Sequence, residues 1–257
     1  MNSFRVKKIL GQHFLKNKII IEKITSFKNI KNKNIIEVGP GFGSLTVSIL
    51  NKKPNSLVCI EKDINLKKHL DNLNRQFDKN LKIIYGDALK MNLTKILEND
   101  IYLIANLPYN IASTLIINWL QYINNFKFII VMVQKEVADR LTAKTSSKSY
   151  GRLSVLVQQH CYVEKKFDIK PENFSPKPKV NSSIIVMTPK KKKIDYNKMD
   201  NLLRLSFIHR RKQIKNNLIN KYPGIEKILT KNKLKKTVRP QEISPNLYEK
   251  IYNSLYS

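Results

Sequence analysis

The sequence predicts an α/β fold, a mostly parallel sheet with helices on both faces, followed by a small all-α domain. Three observations carry that prediction. From Ile35 to about Gln134, short β-branched apolar runs alternate with stretches of helical periodicity, as consecutive β-α-β units require. A glycine-rich turn, Gly39-Pro-Gly-Phe-Gly43, joins the first apolar run to a helical pattern marked by Leu45, Ile49 and Leu50. Beyond residue 198 the chain reads as helical and strongly basic.

Taken in order, residues 1–16 are basic and loop-like, and Ile19–Phe27 has an amphipathic helical pattern. Strands are predicted at Ile35–Val38, Leu57–Glu61, Leu81–Tyr85, Ile101–Asn106 and Phe128–Val133. A helix over Lys135–Leu141 leads into Lys144–Ser149, which is polar enough to read as a mobile loop. Another helix is predicted over Arg152–Gln159, then strands at Tyr162–Ile169 and Ser182–Met187. The intervening Lys170–Lys179 contains three prolines, which forbid regular structure and stiffen the connection. So short a link makes these last two strands antiparallel. Lys190–Lys193 reads as a charged linker. In the helical tail, Leu203, Phe207, Ile214 and Leu218 form an apolar stripe, with Arg204, Arg211 and Lys215 on a neighbouring face. The expected boundaries are a catalytic domain at 1–189, a basic linker at 190–197 and a helical domain at 198–257.

With 257 residues and 42% hydrophobic content, the chain can bury a good core, in one large domain or one large and one small. A formal charge of +29, from 48 basic and 19 acidic side chains, points to a polyanionic partner. Only 8 of the basic residues are Arg, and Lys, Asn and Ile crowd the whole chain, as an AT-rich genome would produce. Part of the surplus is therefore compositional. It is also uneven: residues 190–257 carry 18 basic and 5 acidic side chains, a surplus of 13, against 16 over the other 189 residues. That density favours a dedicated module facing nucleic acid over uniform drift. Cys59 and Cys161 lie in apolar segments and read as reduced core thiols. The four histidines are scattered and no Cys-x-x-Cys occurs, which disfavours a zinc site and zinc-dependent base deamination. The longest apolar run, Phe128–Val133, is far too short to cross a bilayer, so a soluble cytoplasmic chain without metal or membrane is expected.

Asn106-Leu107-Pro108-Tyr109 closes the apolar run Ile101–Ala105. The Asn106 side-chain oxygen and the Leu107 carbonyl can accept the two hydrogens of an exocyclic amine, and Pro108 fixes the turn that brings them together. Tyr109 offers a ring face for stacking. Taken alone this is also an ordinary turn. Its position downstream of Glu37-Val-Gly-Pro-Gly-Phe-Gly43 adds weight, because glycines at a helix N-terminus bring backbone N–H groups to a ligand. No Gly-Lys-Ser/Thr follows, so the turn is not a P-loop, and Ser44 stands where a dinucleotide fingerprint needs Gly or Ala. Glu61, twenty residues after Gly41, occupies the place of a ribose-binding acid, and Gly86-Asp87-Ala88 ends the next strand. Such strand ends favour a nucleoside cofactor.

These motifs, with Gly11-Gln-His-Phe-Leu15, Gln134-Lys-Glu136, Tyr150-Gly-Arg-Leu-Ser154, Phe174-Ser-Pro-Lys-Pro-Lys-Val180 and Arg210-Arg-Lys212, run nearly the whole length of the chain. In order and spacing they resemble the bacterial small-subunit ribosomal RNA adenine dimethyltransferase family. The resemblance implies a Rossmann-like S-adenosylmethionine-dependent methyltransferase sheet whose last strand is antiparallel. It also implies methyl transfer to N6 of two adjacent adenines near the 3′ end of small-subunit rRNA, within an immature small ribosomal subunit, by a monomer. Cofactor contacts carry over to His13, Leu15, Gly39, Glu61, Asp87 and Asn106, with Gly41 from the turn. Glu61 would hold the ribose and Asp87 the adenine amine of the cofactor. The flipped target base would sit against Asn106, Leu107, Pro108 and Tyr109, with Phe174 closing the other face. Arg204, Arg210, Arg211, Lys212 and Lys215 would touch RNA phosphate.

Three other readings fit parts of the sequence. A large-subunit rRNA adenine methyltransferase of the antibiotic-resistance type is disfavoured by Leu107, Gln134-Lys-Glu136 and Gly151-Arg-Leu153. A non-catalytic ribosome-assembly factor on the same fold would not need intact Glu61, Asp87 and Asn106-Leu-Pro-Tyr109. A nicotinamide oxidoreductase is disfavoured by Ser44 and by the amine-holding motif.

Overall fold

The computed structural model describes residues 11–77 and 80–256, so residues 1–10 of the predicted N-terminal loop lie outside the described residues. In chain order the elements are β1 (Phe14–Leu15), α1 (Lys18–Thr25), β2 (Asn34–Val38), α2 (Ser44–Asn51), β3 (Ser56–Glu61), α3 (Lys67–Gln76), β4 (Leu81–Tyr85), β5 (Ile101–Asn106) and α4 (Ala112–Leu120). They continue with β6 (Phe126–Gln134), α5 (Lys135–Leu141), α6 (Arg152–His160), β7 (Cys161–Ile169), β8 (Phe174–Ser175) and β9 (Ser182–Pro189). Four helices end the chain: α7 (Tyr196–Ser206), α8 (Ile214–Leu218), α9 (Ile225–Lys231) and α10 (Pro245–Tyr256).

Two compact units emerge. The first holds the residues up to Ala138 and Glu164–Pro189, the second Asp139–Val163 and Lys190–Ser257. The first is built on a seven-stranded sheet of order β4-β3-β2-β5-β6-β9-β7. β2 pairs in parallel with β3 and β5, β3 with β4, and β5 with β6. β9 runs antiparallel to β6, from Ile129 opposite Met187 to Gln134 opposite Ser182. The last strand in sequence is thus reversed as expected, yet it lies inside the sheet, with β7 outside it.

Alternation sorts the apolar residues of each strand onto two buried faces. Ile35, Leu57, Cys59, Ile104 and Ile130 form one core with Ile21 and Ile24 of α1 and Ile49 of α2. Their neighbours Ile36, Val58, Ile60 and Leu103 are equally buried on the opposite side. Burial of both faces explains why these runs are continuously apolar. Helix α1 starts at Asn17, whose side chain accepts from the backbone N–H of Ile19 and Ile20 at 3.0 and 3.2 Å, satisfying two donors that the first turn leaves open.

The second unit departs from the expected boundaries. α6 packs against α7 and α10, which draws residues 139–163 into the C-terminal group. The lysine run is not a free linker either: the Lys190 N–H donates to the His160 carbonyl at 2.7 Å, and Lys192 pairs with Glu249. Nor is the polar loop left loose. Arg210 donates to the carbonyls of Ser147 and Lys148, and the Ser146 N–H donates to Gln241 O, so the loop's backbone groups find partners outside it. The stripe Leu203, Phe207, Ile214 and Leu218 does not ride on one helix, because α7 ends at Ser206. Asn217 donates to the carbonyls of Ser206 and His209, stabilising the turn that separates α7 from α8. Among the described residues, no helix is long and apolar enough to cross a membrane.

Candidate active site

Strand order reverses between β2 and β5, and in open α/β sheets the crevice at such a switch point receives ligands. Gly39 follows β2 at this point, and Asn106 ends β5. Gly39 adopts φ +73° and its N–H donates to Ile60 O at 2.9 Å. A Cβ added there would lie 3.6 Å from the Asn106 carbonyl, an ordinary contact, so the positive φ is what calls for glycine. Gly41, at φ +58°, is more constrained still, since a Cβ would meet the Phe14 ring at 2.7 Å. Both positions need glycine, Gly39 for its left-handed conformation and Gly41 for conformation and space.

The cleft is lined by residues of the first unit, among them His13, Gly39, Gly41, Glu61, Asp87, Asn106, Leu107, Pro108 and Tyr109. Nearly all of the residues predicted for cofactor and base therefore share one site. Glu61, at the end of β3, is only 6% exposed and accepts from Gly41 N at 3.2 Å and Asp63 N at 2.7 Å. Burial pushes its pKa up, and the backbone donors oppose that shift. Asp87 accepts from Leu89 N at 3.0 Å and pairs with Lys62 at 2.7 Å, and the Lys62 ammonium holds its pKa below the usual range.

The base-holding corner is set by the N-terminal segment. Asn106 Nδ2 donates to the His13 carbonyl at 2.8 Å. A carbonyl can only accept, so the amide orientation is determined and Oδ1 is turned away, ready to accept. The His13 ring bonds through Nδ1 to Pro176 O at 2.8 Å and stacks on Tyr109, centroids 5.1 Å apart. Tyr109 shares a 2.5 Å hydrogen bond with Ser182, so its ring is locked rather than freely exposed. Beneath the glycine turn, Glu37 is buried at the end of β2, accepting from Thr46 Oγ1 at 2.6 Å and Cys59 Sγ at 3.4 Å.

Two expectations need correction. Phe174 is 2% exposed and packs in the sheet core, because β8 pairs with β1 and sets Phe174 opposite Leu15. It offers no open face in this structure. Leu15 is buried in the same core and lines a smaller pocket that shares Gly39 and Asn106 with the cleft. Arg210 is engaged within the second unit, donating to Gln241 Oε1 at 2.7 Å as well as to the loop carbonyls, and Lys215 is paired with Glu226 at 2.8 Å. Arg204, Arg211 and Lys212 are exposed. Conversely, Lys62 and Ile60 line the cleft without having been singled out. A Lys in so lysine-rich a chain carries no signal of its own.

Burial pushes the Glu37 carboxyl up from 4.5 to about 7. The folded protein thus keeps a proton that the unfolded chain releases. Stability from the neutral carboxyl is complete below about pH 4.5 and is lost as pH rises to about 7. Glu37→Gln is expected to flatten this decline. Urea midpoints measured from about pH 5 to 8 check it, and parallel curves for both proteins would refute it.

The ribosomal RNA adenine dimethylase family matches residues 3–257 of the chain. A ribosomal RNA small subunit methyltransferase A from Wolbachia sp. subsp. Drosophila simulans (strain wRi) is 42% identical over 242 residues, covering 93% of this chain and 89% of that protein. Its counterpart from Ehrlichia canis (strain Jake) is 40% identical and covers 99% of both. Among solved structures, a dimethyladenosine transferase from Plasmodium falciparum superposes with a TM-score of 0.80 at 28% identity, covering 93% of this chain and 96% of that one. The 23S rRNA methyltransferase ErmE gives 0.73 at 19% identity, over 95% and 100%, a likeness of fold.

Proposed function

The chain belongs to the ribosomal RNA adenine dimethylase family, and on that premise we propose that it dimethylates N6 of two adjacent adenines near the 3′ end of small-subunit rRNA. The substrate is the rRNA of an immature small subunit, and the protein acts on it as a monomer in the cytoplasm. One observation supports the base-handling part of this reading: Asn106 Nδ2 is taken up by His13 O, which leaves Oδ1 as the group that can accept an amine hydrogen.

The cleft residues fit S-adenosylmethionine. Gly39 and Gly41 shape the left-handed turn that lines the cleft, Glu61 presents a recessed carboxylate for ribose hydroxyls, and Asp87 presents one for the adenine amine. When bound, the cofactor supplies a methyl group on a positive sulfonium, transferred by in-line displacement. The chain's own part is positioning. An adenine N6 lone pair is delocalised into the ring and is a poor nucleophile. Accepting both hydrogens, at Asn106 Oδ1 and the Leu107 carbonyl, favours a pyramidal nitrogen whose lone pair points at the methyl. No strong base is needed, since the methylated cationic amine loses its proton to water. After one transfer a hydrogen remains for one of the two acceptors, so the same residues serve the second. Tyr109, braced by His13 and Ser182, supports the base. We assign phosphate contacts to Arg204, Arg211 and Lys212. Arg210 and Lys215 hold the turn that carries them.

Incubating immature small subunits with the protein and labelled S-adenosylmethionine, then analysing rRNA nucleosides by mass, tests the reading. Two dimethyladenosines at adjacent positions are expected. Label confined to large-subunit rRNA, or none at all, would overturn it.

A further inference from the structure

The second unit carries a groove that the reaction above does not use. It measures about 550 Å³, and its walls include Thr142, Lys144, Thr145, Gln158, Tyr162 and Lys190. Among the described residues no acidic side chain lines it. Tyr162 follows the buried Cys161 at the start of β7, so strand alternation turns it outward, and it is 64% exposed. One face of its ring is taken by the Lys190 ammonium, 4.8 Å from the centroid, and the other is open.

Lys190 is held in place from two sides. Its Nζ donates to Gln158 O at 2.6 Å and its N–H to His160 O at 2.7 Å. Gln158 in turn donates to the carbonyls of Leu141 and Ala143, both at 3.0 Å, which ties the groove wall to α6. Among the described residues no carboxylate pairs with Lys190, and burial lowers its pKa. Glu249 acts on it only at longer range, and a half-buried cation with no ion-pair partner is further stabilised by an incoming anion. Exposed Lys144 adds a second positive charge at the rim. A cation-backed ring with lysines and hydroxyls around it matches what an unpaired nucleotide presents, a π face and a phosphate.

We propose that this groove is an accessory RNA site, in which an unpaired base stacks on the open face of Tyr162 and its phosphate is met by Lys144 and Lys190. The assignment rests on the RNA-directed reading above. An acidic peptide would engage the cations but leave the ring unused.

The test titrates the full chain against a fluorescein-labelled single-stranded RNA of about twelve nucleotides, by anisotropy at several salt concentrations. Tyr162→Ala is expected to weaken binding roughly five- to a hundredfold, as loss of one base–aromatic stack does. Tyr162→Phe keeps the ring and should bind as the parent does. Lys144→Ala should lower the salt slope by about 0.7, one single-strand phosphate contact. Cofactor affinity, measured by calorimetry, stays unchanged in all three. Unaltered RNA affinity in Tyr162→Ala, or an equal loss in Tyr162→Phe, overturns the stacking site. So does a polyglutamate peptide that displaces the RNA equally well from parent and Tyr162→Ala. A parent protein that binds RNA and transfers methyls while Tyr162→Ala matches it loses only this site. A parent that binds cofactor but no RNA removes the wider reading as well.

Discussion

Asn106→Ala is expected to lower kcat by roughly 10²–10³-fold, the loss that follows removal of one preorganised partner of a transition state. Asn106 makes two distinct contributions. Its Nδ2 is committed to the His13 carbonyl, and its Oδ1 is what remains for the substrate amine. The acceptor matters most when the nitrogen becomes pyramidal, so the effect appears in kcat with KM for RNA little changed. Asn106→Asp sharpens the assignment. A carboxylate still accepts, but it cannot donate to His13 O and would be repelled by it, so this variant should be similarly impaired. The fold should survive both changes, since only one hydrogen bond worth about 1 kcal/mol is lost. Single-turnover methyl transfer with cofactor affinity as a control reads the result. Near-parental turnover in Asn106→Ala would remove the residue from the reaction.

The second large effect is on the cofactor. Glu61→Ala is expected to weaken S-adenosylmethionine binding about a hundredfold, from two ribose hydroxyl bonds at about 1.5 kcal/mol each, the low end for charged acceptors. Glu61→Gln should not rescue it. Both carboxylate oxygens already accept backbone N–H groups, from Gly41 and from Asp63, and an amide NH2 in either place would face a donor. Because burial raises the Glu61 pKa, affinity should begin to fall at a higher pH than an ordinary carboxylate would dictate as the medium is acidified. Calorimetry showing parental affinity in Glu61→Ala would refute the ribose assignment.

Deleting the basic tail is a poorer experiment than its sequence suggests. α6 packs against α7 and α10, so removing residues 198–257 would uncover the apolar side of α6 and confound lost RNA binding with lost folding. Point changes at Arg211 and Lys212 avoid that problem.

Much of this protein could be read from local sequence, because the signals involved are local. Strand period, glycine-rich turns and proline-bearing strand ends act over a few residues, and the predicted strands match the observed ones to within two residues at each end. Glu61, Asp87 and Asn106 could be grouped in advance because each lies at the end of an apolar run, and the ends of parallel strands open onto one cleft. What the sequence could not convey was how each side chain's bonding capacity is already used. Arg210 reads as one of three adjacent cations, yet its guanidinium is spent on a loop more than sixty residues away in sequence. Phe174 reads as a free ring, but the pairing of β8 with β1 buries it against Leu15. The polar Lys144–Ser149 segment reads as loose until the partners of its backbone, Arg210 and Gln241 in the connections between the C-terminal helices, are seen.

By itself, then, the sequence determined the αβ alternation, the glycine turn, which strand-end residues gather in one cleft, and the positive surplus. Tertiary structure decided the place of β9 inside the sheet, the grouping of residues 139–163 with the C-terminal helices, and the orientation of Asn106. The last depends on a carbonyl 93 residues away, and no local pattern encodes a contact across that separation. Periodicity and turn chemistry are properties of neighbouring residues; saturation of hydrogen-bonding groups and burial of rings are settled only when distant segments compete for the same partners.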